Sequence, residues 1–197
     1  MRHRLLTAAL LTTITITSGC AGFKANNLPV VSAADLQSNA TTKTKIYSRW
    51  TLQSNSSLMN ENVKVAAAAI NKKMFEQAIK ESGCCEIVES AKEADVVVDG
   101  ININENNAAA ILPAFITGFS LYAIPSWVTA KVHITAQATR GETTKSYDLQ
   151  DSMTMVQWLP MIFVMPVKGN AIKMGKEVDE NTYKTLVVRL KADGLVN

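Results

Sequence analysis

Only two histidines and three cysteines occur in the sequence, and one of each, His3 and Cys20, falls within the first 20 residues. Beyond that point His133 stands alone, so no cluster of ligands with metal-site spacing can be assembled from the chain. No glycine-rich phosphate loop is present, and no serine sits in a nucleophile-elbow pattern. Asp95 and Asp99 share one face of an expected strand but stand about 13 Å apart, too far for a retaining carboxylate pair. Neither metal nor organic cofactor is expected, and the chain does not read as an enzyme. Cys84 and Cys85 are adjacent, and neighbouring cysteines rarely bond to each other, because a relaxed disulfide needs separated, well-aimed Cβ atoms. They are expected to be two small, buried, unpaired side chains. Clustered positive charge is also lacking. Setting aside Arg2 and Arg4 leaves eighteen basic against seventeen acidic side chains, which excludes a nucleic-acid footprint.

What is there begins with the amino terminus. Arg2, His3 and Arg4 precede an uncharged run from Leu5 to Ile16, followed by the small residues Thr17, Ser18 and Gly19 and then Cys20. Twelve apolar residues are too few to span a bilayer, which takes about 20. The order is that of a secretory signal, so residues 1–19 are left out of the fold. Ser18-Gly19-Cys20 resembles the lipobox of bacterial lipoproteins. The resemblance implies cleavage between Gly19 and Cys20, a diacylglycerol (palmitate-bearing) group on the Cys20 sulfur as the one covalent addition, and a periplasm-facing membrane anchor. Ala21, where an aspartate would favour retention, resembles lipoproteins sorted to the outer membrane of Gram-negative cells.

Residues 20–44 are rich in Asn, Ser, Thr and Ala and are expected to form a flexible tether spanning roughly 25–30 Å. Residues 45–197 are expected to form a single α+β domain. Its first strand covers Lys45 to Leu52, and a helix follows Asn60 and stops at Gly83. The helix carries an apolar stripe of Val63, Ala66, Ala67, Ile70, Met74, Ala78 and Ile79. Strands are expected over 85–89 and 95–104. A hairpin turning at Gly141 joins strands over 127–139 and 144–150, and a final helix runs from 179 to 193. The predicted class is α+β, a mainly antiparallel sheet with two helices on one face. The run Ser82-Gly83-Cys84-Cys85-Glu86-Ile87-Val88, with Ala94-Asp95-Val96-Val97-Val98 after it, is similar to a unit in small envelope lipoproteins. Transporter auxiliary lipoproteins, the amino-terminal domain of TolB and the curli secretion lipoprotein share that unit. The likeness implies a fold and an envelope setting and carries over no active site.

Two uncharged segments flank the hairpin. Ala108 to Ala130 contains 23 residues without a charge, of which 108–126 precede the strand, and 152–167 follows the other arm. Each holds two prolines and a tryptophan. Four readings stay open for them: a buried core excursion, a membrane span, a surface resting on the membrane, or a surface gripping a partner. In the last two the exposed residues would be Phe115, Phe119, Tyr122, Trp127, Trp158 and Phe163, since aromatics suit a boundary between lipid and water. The expected function is a membrane-anchored, non-enzymatic assembly, scaffold or transport-accessory role, with an envelope protein or a second copy as partner. The alternatives are a ligand- or lipid-binding lipoprotein whose segments line a pocket, and an envelope enzyme using His133.

Overall fold

The computed structural model describes residues 20–56, 59–104, 111–161, 163–164 and 171–197. The expected signal, with Gly19, lies outside the described residues, as do residues 108–110, 162 and 165–167 of the two uncharged segments. In chain order the elements are β1 (Cys20–Lys24), α1 (Ala33–Leu36), β2 (Thr44–Ser54), α2 (Glu61–Ser82) and β3 (Cys85–Ile87). Then follow β4 (Val96–Asn104), α3 (Ile111–Phe119), β5 (Ser126–Arg140), β6 (Thr143–Gln157) and α4 (Ala171–Ala192). Six strands form one sheet in the order β1-β6-β5-β4-β2-β3. The fold is α+β with a mainly antiparallel sheet. β2 nevertheless runs parallel to both β4 and β3, because α2 supplies the crossover that parallel neighbours require.

In place of a single domain over 45–197, the chain groups into two compact units. The larger comprises 26–56, 59–104, 131–152 and 176–197 among the described residues, and it holds the main core. Ile46 and Trp50 of β2, Val96 and Val98 of β4, Ile134, Ala136 and Ala138 of β5, and Tyr147 and Leu149 of β6 turn inward. They meet Phe75, Ala78 and Ile79 of α2 and Tyr183, Leu186, Val187 and Leu190 of α4. Trp50 lies 5.2 Å from Tyr183 and 5.5 Å from Phe75 between ring centroids. Gly100, opposite Trp50 in the ladder, has no side chain because the indole lies where a Cβ would be.

Local signals placed the helix ends. Asn60 Oδ1 accepts from Val63 N at 3.0 Å, and Gly83 closes α2 at a φ of 68°. The expected stripe on α2 is only partly the buried one. Val63 and Ile70 are exposed, and the contact face is Asn71, Phe75, Ala78, Ile79 and Ser82. Alanine and valine recur throughout the helix, so periodicity alone did not single out the face that meets the sheet. Cys84 and Cys85 also depart from expectation: their sulfurs are joined in a disulfide between adjacent residues, with Cα atoms 3.7 Å apart. Both are buried in the core.

The largest correction concerns the expected tether. Residues 26–44 lie on the core, with Leu28 and Leu36 buried in it. Asn181 of α4 accepts from Val31 N at 2.9 Å and donates to the Pro29 carbonyl at 3.1 Å. Lys191 Nζ donates to the carbonyls of Asp35, Leu36 and Gln37 at 3.1, 3.1 and 2.7 Å, closing α1. Asn27 N donates to Asp151 Oδ1 and Ser38 N to the Ser82 carbonyl. Polar composition suggested a free coil, but backbone groups that find fixed partners no longer need water.

Candidate functional site

The smaller unit comprises residues 20–25, 111–130, 153–161, 163–164 and 171–175 among those described. β1 pairs antiparallel with the end of β6, so that Cys20 stands opposite Gln157 and Lys24 opposite Met153. Ala21 is fully buried, and Gly22 lies so close to α4 that a Cβ there would come within 3.0 Å of Ala171 Cα. Cys20 is half-buried, and that burial pushes its thiol pKa up. Ser126 Oγ, at the first residue of β5, donates to Gln157 Oε1 at 3.3 Å. Cys20, Gln157 and Ser126 therefore mark the same end of three neighbouring strands. Three residues inward along each strand, Thr129 and Thr154 join their hydroxyls at 3.0 Å.

Residues 152–157, expected to belong to the second uncharged segment outside the hairpin, complete β6 instead, where 153–157 pair with β1. Beyond this end the chain leaves the sheet at Trp158 and enters it from the first segment at Ser126, and the two segments meet. Leu159 N donates to the Tyr122 carbonyl at 2.9 Å. Within α3 Thr117 Oγ1 donates to the Pro113 carbonyl at 3.0 Å, and just past the helix Ser120 Oγ accepts from Ile124 N at 3.0 Å. Leu121 and Tyr122 close the helix with φ of 52° and 63°. Two successive non-glycine residues in the left-handed region cost roughly 1–2 kcal/mol each. Contacts on both sides hold that turn, Tyr122 N bonding back to the Thr117 carbonyl at 2.8 Å and its own carbonyl accepting from Leu159.

The side chains of this unit point outward to an unusual degree. Phe119 is 88% exposed, Phe163 81%, Leu121 80%, Trp127 68% and Phe115 61%. Ile116, Ile124 and Leu159 are exposed as well, Trp158 just so, and Tyr122 is half-buried. Phe115, Ile116 and Phe119 lie on the open side of α3, while Thr117 on the opposite side is fully buried. These residues are not a core excursion. Among the described residues no helix is long and apolar enough to cross a membrane. Monomeric proteins rarely leave a contiguous apolar patch beyond a few hundred Å² uncovered. Leu121 and Leu159 belong to this surface and were not singled out from sequence. Their presence in the uncharged segments was the available signal.

The other candidate residues are accounted for elsewhere. His133 Nε2 lies 3.0 Å from Asp148 Oδ1 and 3.2 Å from Gln150 Nε2 on the open, polar face of the hairpin. Asp99 accepts two bonds from Arg49, at 2.6 and 2.7 Å, and Asp95 accepts from Lys45 N at 2.8 Å. Neither carboxylate is aimed at a shared point. Among the described residues no group of three or more His, Cys, Asp or Glu could hold a metal ion.

No protein-family model matches the chain, and no curated protein sequence matches it. Among solved structures, a point variant of the PelC dodecamer from Paraburkholderia phytofirmans is similar over 86% of this chain and 99% of its own, at 7% identity and a TM-score of 0.36. A second crystal form of the PelC dodecamer gives 8% identity and 0.35, over 84% and 96%. A Xanthomonas campestris protein of the DUF330 family covers 78% of this chain and 86% of its own, at 8% identity and 0.37. These likenesses are distant and assign no role to any residue.

Proposed function

We propose that this chain is a lipid-anchored protein of the bacterial cell envelope, held by diacylglycerol on Cys20. In this reading it sits on the periplasmic side of the outer membrane. It acts through contacts, in an assembly, scaffold or transport-accessory role, rather than by catalysis. The observation that carries this is the position of Cys20. It is the first residue of β1, half-exposed, at the strand end from which the two apolar segments emerge. A sulfur there can carry acyl chains outward while Ala21 and Gly22 stay packed. Two or three such chains hold a protein at a membrane for its lifetime, each buried methylene contributing about 0.8 kcal/mol. Exposures above four-fifths at Phe119 and Phe163, with Leu121 at 80%, favour an outward contact surface over a ligand pocket lined by the same segments.

The test is chemical. In cells fed a labelled palmitate, the wild type takes up label, and mass spectrometry finds an amino-terminal peptide that begins at Cys20 and carries diacylglycerol. Cys20→Ser takes up none. A wild-type amino-terminal peptide without lipid overturns the anchor. Crosslinking of the lipidated protein in its membrane then yields discrete higher species if the role is assembly, and monomer at every crosslinker dose if it is not.

A further inference from the structure

The exposed surface of the smaller unit can be given an occupant. Resting on the lipid-anchor reading, we propose that α3, the Leu121–Tyr122 turn and residues 158–161 and 163–164 after β6 form a face seated in the lipid–water boundary of the same bilayer that receives the Cys20 acyl chains. The smaller unit is then held against the membrane at two places.

Three observations select a bilayer rather than a protein partner. The first is composition. No charged residue occurs from 108 to 130 or from 152 to 167, so the surface carries no side-chain charge with which to orient or discriminate an ionic partner. The second is position. Gln157, whose neighbour across the ladder is Cys20, directly precedes Trp158, and Ser126, bonded to Gln157, directly precedes Trp127. The lipid-bearing sulfur and both tryptophans are therefore within a residue or so of one level of the sheet. The third is a change in chemistry along the strands. The Thr129–Thr154 hydroxyl pair lies on the sheet side of that level, and Phe119, Leu121 and Phe163 belong to the apolar segments beyond it. Indole rings between a polar layer and an apolar one match the headgroup boundary, where tryptophan and tyrosine concentrate. α3 has nine residues, less than half of what a span requires, which suits an element lying at the interface.

The decisive experiment removes the acyl chains and asks whether the protein still finds lipid. The full chain after the signal, with Cys20→Ser, is floated with uncharged phosphatidylcholine vesicles and, separately, with vesicles containing phosphatidylglycerol, at low and high salt. Binding to the uncharged vesicles is expected, little changed by salt or by anionic lipid. Phe119→Asp and Phe163→Asp should each weaken it about 10- to 100-fold, as loss of one buried phenylalanine predicts. Leu121→Asn guards against misfolding as the cause. Asparagine accepts the left-handed backbone that leucine occupies under strain, so this variant keeps or gains stability while losing affinity. Circular dichroism in the aromatic region checks that each variant keeps the core around Trp50. Three results overturn the proposal: no flotation at any lipid concentration, flotation of the three variants equal to that of the Cys20→Ser parent, or binding that needs anionic lipid and vanishes in salt. Sedimentation that shows oligomers lost in these variants, without vesicle binding, also overturns it and makes the face a contact between copies. Because Cys20 is replaced throughout, failure here leaves the palmitate-labelling result standing, and an unlipidated Cys20 leaves the flotation result standing.

Discussion

Replacing Gly22 by valine tests whether β1 is a docked strand. A Cβ at position 22 would lie 2.8 Å from Met174 Sδ, 3.0 Å from Ala171 Cα and 3.3 Å from Met174 Cβ. The thioether can swing aside, but the Ala171 contact is helix backbone and can be relieved only by moving α4 or by lifting β1 off. Valine adds two methyl groups to that overlap. Overpacking of this kind costs about 1–3 kcal/mol. Lifting β1 off would relieve it at the expense of the ladder from Cys20↔Gln157 to Lys24↔Met153. At about 1.4 kcal/mol per tenfold, backbone amides of β1 and of residues 153–157 should exchange with deuterium roughly 5- to 150-fold faster. Amides of β4, whose Val96 and Val98 are fully buried in the larger unit, should keep their protection. Gly118→Ala is the control. Nothing lies within 4 Å of its added Cβ, and alanine gains about 0.5–1 kcal/mol over glycine inside a helix. The reasoning is refuted if residues 20–24 of the wild type already exchange like an unfolded coil, or if Gly22→Val leaves them unchanged.

Two further outcomes follow from the same structure. Lys191→Ala should free the carbonyls of residues 35–37, cost about 1–3 kcal/mol in urea unfolding, and open residues 26–44 to limited proteolysis before the core is cut. Equal protease resistance in wild type and variant would count against the strapped segment. Asp179 has its carboxyl pushed up to about 6, chiefly by burial and then by the nearby Glu180 charge. The folded state therefore binds that proton more tightly than the unfolded chain. Its contribution to stability is complete below about pH 3.8 and is lost as pH rises through about 6. Asp179→Asn should flatten this interval and raise stability at pH 7 by about 1–3 kcal/mol, read from urea midpoints across pH. A variant with the wild-type pH profile would remove Asp179 as the cause.

Much of the larger unit was legible because its signals are local. The alternation in β5, the Asn60 cap and the Gly83 stop each depend on residues within a few positions and are where they were expected, whereas β6 runs on to Gln157, seven residues past its expected end. Buried faces were less legible. On α2 the true face includes Asn71 and Ser82, polar residues whose burial depends on what packs above them. Residues 26–44 were misread for a related reason: the groups that hold them, Asn181 and Lys191, lie about 150 positions away in the chain. α3 was not expected, since Pro113 and Gly118 weaken any local helix signal and the turn that ends it is strained.

The sequence by itself determined that two charge-free apolar segments flank a hairpin and that Cys20 follows a lipobox-like run. Both are facts of covalent order. It could not determine that Cys20 stands beside those segments. Only the tertiary structure decided this, because the pairing of Cys20 with Gln157 joins residues far apart in the chain. Strand register between distant segments is set by which side chains can pack, here by a glycine small enough to lie against Ala171.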